Sequence, residues 1–267
     1  MKAKTLLAAV ALSTISTGAL AYPKFTIEEC TLACGGGMTY QLTADQINGS
    51  YAETITATIS GDPLVDGTFV TSGVFQLSGY TLDGTGLTSY LQSPGGYDLY
   101  ALFYFDGTNN LNAAGDLTFT ANNATVELWG DPGQDSGFTQ DATGVNLPTV
   151  TPGTADVQLG TASTLVAGSG NGRLGLNNGD FEIVLGDFAL TPAGENFFIE
   201  PTDFYVVLDV NGNFQDVNPD FAVGTGTYLV TGAGQVFFAA VPEPSVMALF
   251  ATGLLGLGFA ARRRRQV

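Results

Sequence analysis

The chain has 267 residues, 45% of them apolar and only 12% charged, with 36 glycines and no histidine. That length and apolar content are enough to bury a core and exclude a disordered chain, and the missing imidazole excludes Ser-His-Asp and Cys-His catalysis and histidine metal sites. A formal charge of −17 excludes nucleic acid as a partner held by phosphate neutralisation.

Residues 1–21 read MKAKTLLAAVALSTISTGALA. Lys2 and Lys4 precede a short apolar stretch, Leu6 to Ile15, and Ala19-Leu20-Ala21 has the small-x-small form of a signal-peptidase site. We expect an export signal cut after Ala21, with Tyr22 as the mature start; the stretch is short for a retained membrane helix. Cys30 and Cys34 follow, with Gly35-Gly36-Gly37 beside them. In an exported chain this pair is expected to close a small disulfide loop, with an entropic gain on the order of 2 kcal/mol. The spacing is not Cys-x-x-Cys, which argues against a redox pair.

The body, 22–241, reads as strands between turn signals. Tyr51 to Ser60 alternates Thr and Ile on opposite faces. Gly67 to Leu82 predicts a hairpin turning at Thr71-Ser72-Gly73, and Tyr97 to Phe105 a central strand. Leu117 to Thr120 and Thr125 to Trp129 predict strands about a tight turn at Asn122-Asn123. Asp131 to Pro152, rich in Gly, Asp, Gln, Thr and Pro, predicts a mobile loop. Asp180 to Leu190 predicts a strand bulged at Gly186. Phe204 to Val210, Thr227 to Val230 and Gln235 to Ala239 complete the set. No segment has a convincing helical period. The expected fold is all-β, a single β-sandwich or jelly-roll-like domain.

From Tyr22 to Val241 there are 2 bases against 24 acids, a net of −22. Such a surface repels its copies and attracts cations. Asp209, Asn211, Asn213 and Asp216 place oxygens at spacings that resemble a calcium loop. The glycine sits one place early and no closing Glu follows, so an Asn211-Gly212 hairpin turn explains the same letters. Calcium is the one cofactor the residues suggest. Trp129, Tyr90, Tyr97 and Tyr100 could stack on sugars or fill a core. Among 24 acids, carboxylate pairs arise by chance, and no nucleophile motif is present. The expectation is therefore a protein that is not an enzyme.

The C-terminal stretch has three parts in order. Pro242-Glu243-Pro244 resists helix and sheet. Ser245 to Ala261 is an uncharged apolar run of 17 residues, near the lower limit for a membrane helix. Arg262, Arg263, Arg264 and Arg265 follow, a cluster expected to stay on the cytoplasmic side. Residues 242–267 resemble the PEP-CTERM sorting signal. The resemblance implies an exosortase as partner, a membrane-embedded enzyme that cuts near Pro-Glu-Pro and frees the body from its transient inner-membrane anchor.

Body segments also resemble the flocculation-associated PEP-CTERM proteins of floc-forming bacteria. They are Ala44 to Glu53, Tyr97 to Phe103, Gly186 to Thr191, Phe197 to Pro201 and Phe204-Tyr205. This resemblance implies a surface or matrix protein that aggregates cells with exopolysaccharide, and it carries no catalytic residues. The acid-rich stretch Asp131 to Asp141 has no counterpart in that pattern. A secreted glycan-active hydrolase and a periplasmic carbohydrate-binding module on the same tail are the competing readings.

Overall fold

Eight long segments of the body put an apolar residue or a glycine at nearly every second position, the pattern of strands with one dry face. The computed structural model describes residues 23–33, 39–152, 155–175 and 178–239. Strand β1 (Phe25–Glu28) runs into a 3-10 turn (Glu29–Thr31), then β2 (Gln41–Ala44). The hairpin β3 (Gln46–Ile59) and β4 (Gly67–Leu82) is followed by the short β5 (Thr85–Gly86). Next come β6 (Asp98–Leu111), β7 (Asp116–Asp131), β8 (Gly137–Thr139), β9 (Thr149–Thr151) and β10 (Val157–Ala162). The chain ends its described part with β11 (Thr164–Arg173), β12 (Gly179–Gly186), β13 (Ala189–Leu190), α1 (Pro192–Phe197), β14 (Phe198–Glu200), β15 (Val207–Asn218) and β16 (Gly224–Ala239).

Strands β3, β4, β6 and β7 form one antiparallel meander, and β11, β12, β15 and β16 form a second. The two join at both sides: β16 pairs β3 from Gly224↔Ile59 to Val236↔Ile47, and β11 pairs β7 from Ser169↔Thr120 to Arg173↔Asp116. The result is a closed up-and-down barrel of eight strands. The all-β expectation holds, but the sandwich or jelly roll is corrected. Alternation along one strand looks the same in either architecture, and only these distant pairings separate them.

Several local expectations change as well. Thr71-Ser72-Gly73 lies inside the unbroken β4, not in a turn. Asn122 is the extra residue of a bulge in the continuous β7, where Gly107 faces Ala121 and Asp106 faces Asn123. Asp180 to Leu190 breaks after Gly186, where Asp187 takes a positive φ of 53°. Its carboxylate accepts the Ser163 and Thr164 N–H groups and the Thr164 hydroxyl. The stretch 131–152 is not a free loop: the β8–β9 hairpin lies in it, and Phe138, Leu147 and Val150 pack on Val74, Tyr100 and Leu102 outside the barrel. A six-residue helix is present, started by Pro192 and capped by Thr191, whose hydroxyl accepts the Gly194 N–H.

The core is the barrel interior. Large rings fit in so narrow a bore because they lie over glycines of neighbouring strands. A Cβ on Gly212 would sit 2.7 Å from the Phe181 ring, and one on Gly232 2.6 Å from the Tyr51 ring. This close approach accounts for much of the glycine content. The outside is wet. Thr56 pairs Thr227 and Thr58 pairs Thr225 through their hydroxyls at 2.9 and 3.0 Å. Polar-out, apolar-in alternation is the inverse of a membrane-spanning barrel.

One end of the barrel is plugged by the small sheet β14-β1-β2 and by α1. Phe25, Phe197, Phe198 and Phe238 interlock there, with Phe25 and Phe238 centroids 5.3 Å apart, edge to face. At the opposite end Phe221 and Tyr228 pack at 4.7 Å.

Candidate functional site

The acids of the body divide into those on the outer wall and those locked in the fold. Both bases of the described body are taken: Lys24 meets Asp83 at 3.0 Å and Arg173 meets Asp116 at 3.7 Å. The wall is therefore anionic with no cation of its own to spare among the described residues.

The expected calcium residues do not form a loop. Asp209, Asn211 and Asn213 lie in the middle of β15, paired across to Val184, Glu182 and Asp180 on β12 and to Phe237, Gln235 and Ala233 on β16. In a strand such residues project in parallel, about 6–7 Å apart, and cannot wrap an ion. The Asn211-Gly212 hairpin turn is overturned by the same pairings. Asp216 lies past the irregularity at Phe214/Asp216. Burial and the nearby Glu182 push the Asp209 carboxyl up to about 6.

A different set of acids does converge. Carboxylate oxygens of Asp131, Asp135 and Asp156 lie within 4.8 Å of one another, an arrangement able to hold a cation. Its local cause is visible without one. Asp131, at the end of β7, accepts the N–H groups of Gly133, Gln134, Asp135 and Ser136 at 2.8–3.0 Å. This carboxylate folds the start of the 131–152 stretch into a turn. Asp156 accepts the Tyr100 hydroxyl at 2.6 Å and the Ser136 hydroxyl at 2.7 Å.

The four aromatic candidates are not brought together. Tyr97 is fully buried in the plug: its hydroxyl donates to Glu29 at 2.7 Å and meets the Tyr80 hydroxyl at 3.0 Å. Glu29, also fully buried, accepts the Tyr90 N–H, and burial pushes its carboxyl upward. Tyr100 stacks on Trp129 at 6.4 Å and meets the Phe138 ring at 4.9 Å, so Tyr100 is buried in the outer apolar cluster and Trp129 half-buried beside it. Tyr90 is exposed, edge-on to Tyr40 at 5.3 Å, and that pair offers ring faces to solvent.

Sequence reading missed Glu53. It sits on the same face of β3 as Tyr51, Ile55 and Ala57, is 5% exposed, and takes the Thr71 hydroxyl at 2.8 Å. The signal was present: a carboxyl in phase with an apolar row. Asp131 carried no such signal, because its four partners are backbone groups.

Cys30 is disulfide-bonded and lies in the 3-10 turn, where Glu28 accepts both its N–H and that of Tyr40. Cys34 lies outside the described residues, as do Ala19, Ala21, Pro242, Glu243, Pro244 and Arg262 to Arg265. Among the described residues no helix is long and apolar enough to cross a membrane. The expected membrane run, 245–261, is outside that set. The last barrel strand, β16, delivers the chain to this tail from the plugged end, at Ala239.

A family model described as the PEP-CTERM protein-sorting motif matches residues 240–265. No curated protein and no solved structure matches the chain. The motif implies export and processing by an exosortase. The barrel is thus the cargo of a C-terminal PEP-CTERM sorting tail.

Proposed function

We propose that the released barrel is a non-enzymatic surface or matrix protein that promotes exopolysaccharide-associated aggregation of cells, as in flocculation or biofilm formation. The observation that carries this reading is an anionic, largely water-facing outer wall attached to an exosortase tail. The body carries 24 acids against 2 bases, both bases paired, and the acids left on its outer wall recruit divalent cations. Those cations bridge it to anionic glycan. The exposed Tyr40–Tyr90 pair adds an apolar face for sugar rings. The absence of histidine and of a nucleophile motif supports a binding role over a hydrolytic one.

The test is aggregation of the producing cells' own exopolysaccharide by the purified mature protein, with calcium and then with excess chelator. The reading predicts aggregates that form with calcium, disperse on chelation, and leave glycan chain length unchanged. Aggregation indifferent to chelator contradicts the cation bridge. Glycan shortening that disappears when one carboxylate is replaced establishes the hydrolase instead.

A further inference from the structure

The barrel bore is not filled. An internal space of about 90 Å³ for water-sized centres runs along it, room for roughly seven waters at ~10–15 Å³ each. Its lining is almost entirely apolar, and along β4 it extends from Phe69 to Leu77. Eight residue steps at ~3.3 Å, with strands tilted ~35–45°, make this roughly 20 Å along the axis. Spread over that length, about 90 Å³ makes a long, thin space, the shape of an extended chain. A dry apolar bore of this kind holds an apolar guest better than it holds water.

One carboxylate lies in its lining, with the hydroxyls of Thr71 and Ser169. Glu53 lines the cavity and is 5% exposed. The Thr71 hydroxyl donates to one of its oxygens at 2.8 Å. A carboxyl held in so apolar a lining is costly unless hydrogen bonds satisfy it, and a guest hydroxyl in the bore supplies one beside that from Thr71. Nothing in the outer-wall reading uses this group.

A way in is also present. On the side of β7 away from β6, pairing stops at Thr120↔Ser169 with β11 and resumes only at Val126↔Ala162 with β10. The wall is unpaired in between, beside the bulge at Asn122. Ala121, Ser169 and Gly170 line the cavity at this gap, and Ser169 is exposed on the outer surface. The small side chains there leave the least to displace. The β14-β1-β2 sheet and α1 plug one barrel end and the Phe221–Tyr228 pair narrows the other, which favours a guest without a bulky headgroup.

We propose that the barrel interior is a binding site for a single unbranched alkyl chain bearing one neutral hydroxyl, the chain lying along the bore and the hydroxyl bonded to Glu53 and Thr71. This site is independent of the outer-wall reading, and either stands if the other fails.

The test is binding of 1-decanol and decane to the mature protein recovered from the cells, with phosphatidylcholine vesicles as a third arm. The site predicts saturable uptake of one decanol per chain, about tenfold tighter than decane, the size of one net hydrogen bond. It predicts no lipid taken from the vesicles. Ala101→Phe, which puts a ring into the bore, is expected to abolish uptake. Glu53→Leu keeps an apolar wall and is expected to bind both molecules with the tenfold preference gone. Absence of saturable decanol uptake overturns the site. A preference that survives Glu53→Leu overturns the role of Glu53, and with it the proposal, even if Ala101→Phe does not fold.

Discussion

Glu53→Gln is expected to flatten the pH dependence of barrel stability between about pH 4.5 and 7. Burial lifts the Glu53 carboxyl from an ordinary 4.5 to about 7. The folded protein therefore holds a proton through that window which the unfolded chain releases. Stability is highest below 4.5, falls as pH rises through the window, and levels off above 7. A difference of this size corresponds to about 3 kcal/mol at 1.36 kcal/mol per pH unit. Asp209, raised to about 6, contributes with the same sign, but it is half buried and solvent screening reduces its share. Asp141 and Asp187 are held below the usual carboxylate range by their hydrogen bonds, so they act at lower pH and in the opposite direction. The assay is urea unfolding of wild type and variant at pH 5 and pH 8. Wild type is expected to lose about 2.5 kcal/mol between the two, a fall in Tm of roughly 5–10 °C at 2–4 °C per kcal/mol. The variant keeps its Thr71 hydrogen bond, matches wild type at pH 5 and exceeds it at pH 8. Parallel pH profiles, or a wild type more stable at pH 8, refute the reasoning.

Gly73→Val places branched carbon against the Phe103 ring and the Ala52 carbonyl, and is expected to cost about 1–3 kcal/mol in urea unfolding. Asp131→Ala leaves four backbone N–H groups unanswered, and is expected to cost about 2–3 kcal/mol while red-shifting Trp129 emission as the β8–β9 hairpin lifts. Trp129 is the chain's one tryptophan and is half-buried in the outer apolar cluster, so its emission is expected to change little as polysaccharide is added. Tyr40→Ala with Tyr90→Ala is expected to weaken that binding severalfold, read by sedimentation with the glycan.

Much of the strand pattern was legible in the sequence, because alternation is local. Tyr51, Ile55 and Ile59 declared a dry face, and the structure puts them inside. Closure was not legible. It rests on β16 meeting β3 and β7 meeting β11, pairings between segments that carry no local mark of each other. The same blindness produced the false turns. Gly73 and Asn122-Asn123 carry turn letters, yet one glycine makes room for the Phe103 ring and Asn122 is a bulge. The alternating oxygens of Asp209, Asn211 and Asn213 suit a loop or one face of a strand equally well, and the neighbours β12 and β16 decide for the strand. The acids that do converge, Asp131, Asp135 and Asp156, are gathered by a turn built on backbone N–H groups, which no spacing announces. Glu53 is the instructive miss: its phase with Tyr51 and Ile55 marked it as inward, and only the bore shows why that matters.

The central claim is that the barrel is cargo delivered by its tail, and the intact mass of the mature protein, with its cellular fraction recorded, tests it most directly. The account predicts termini near Tyr22 and near Pro242 to Pro244, in protein recovered from the cell surface, the matrix or the medium. A chain still carrying Arg262 to Arg265 and confined to the inner membrane contradicts it.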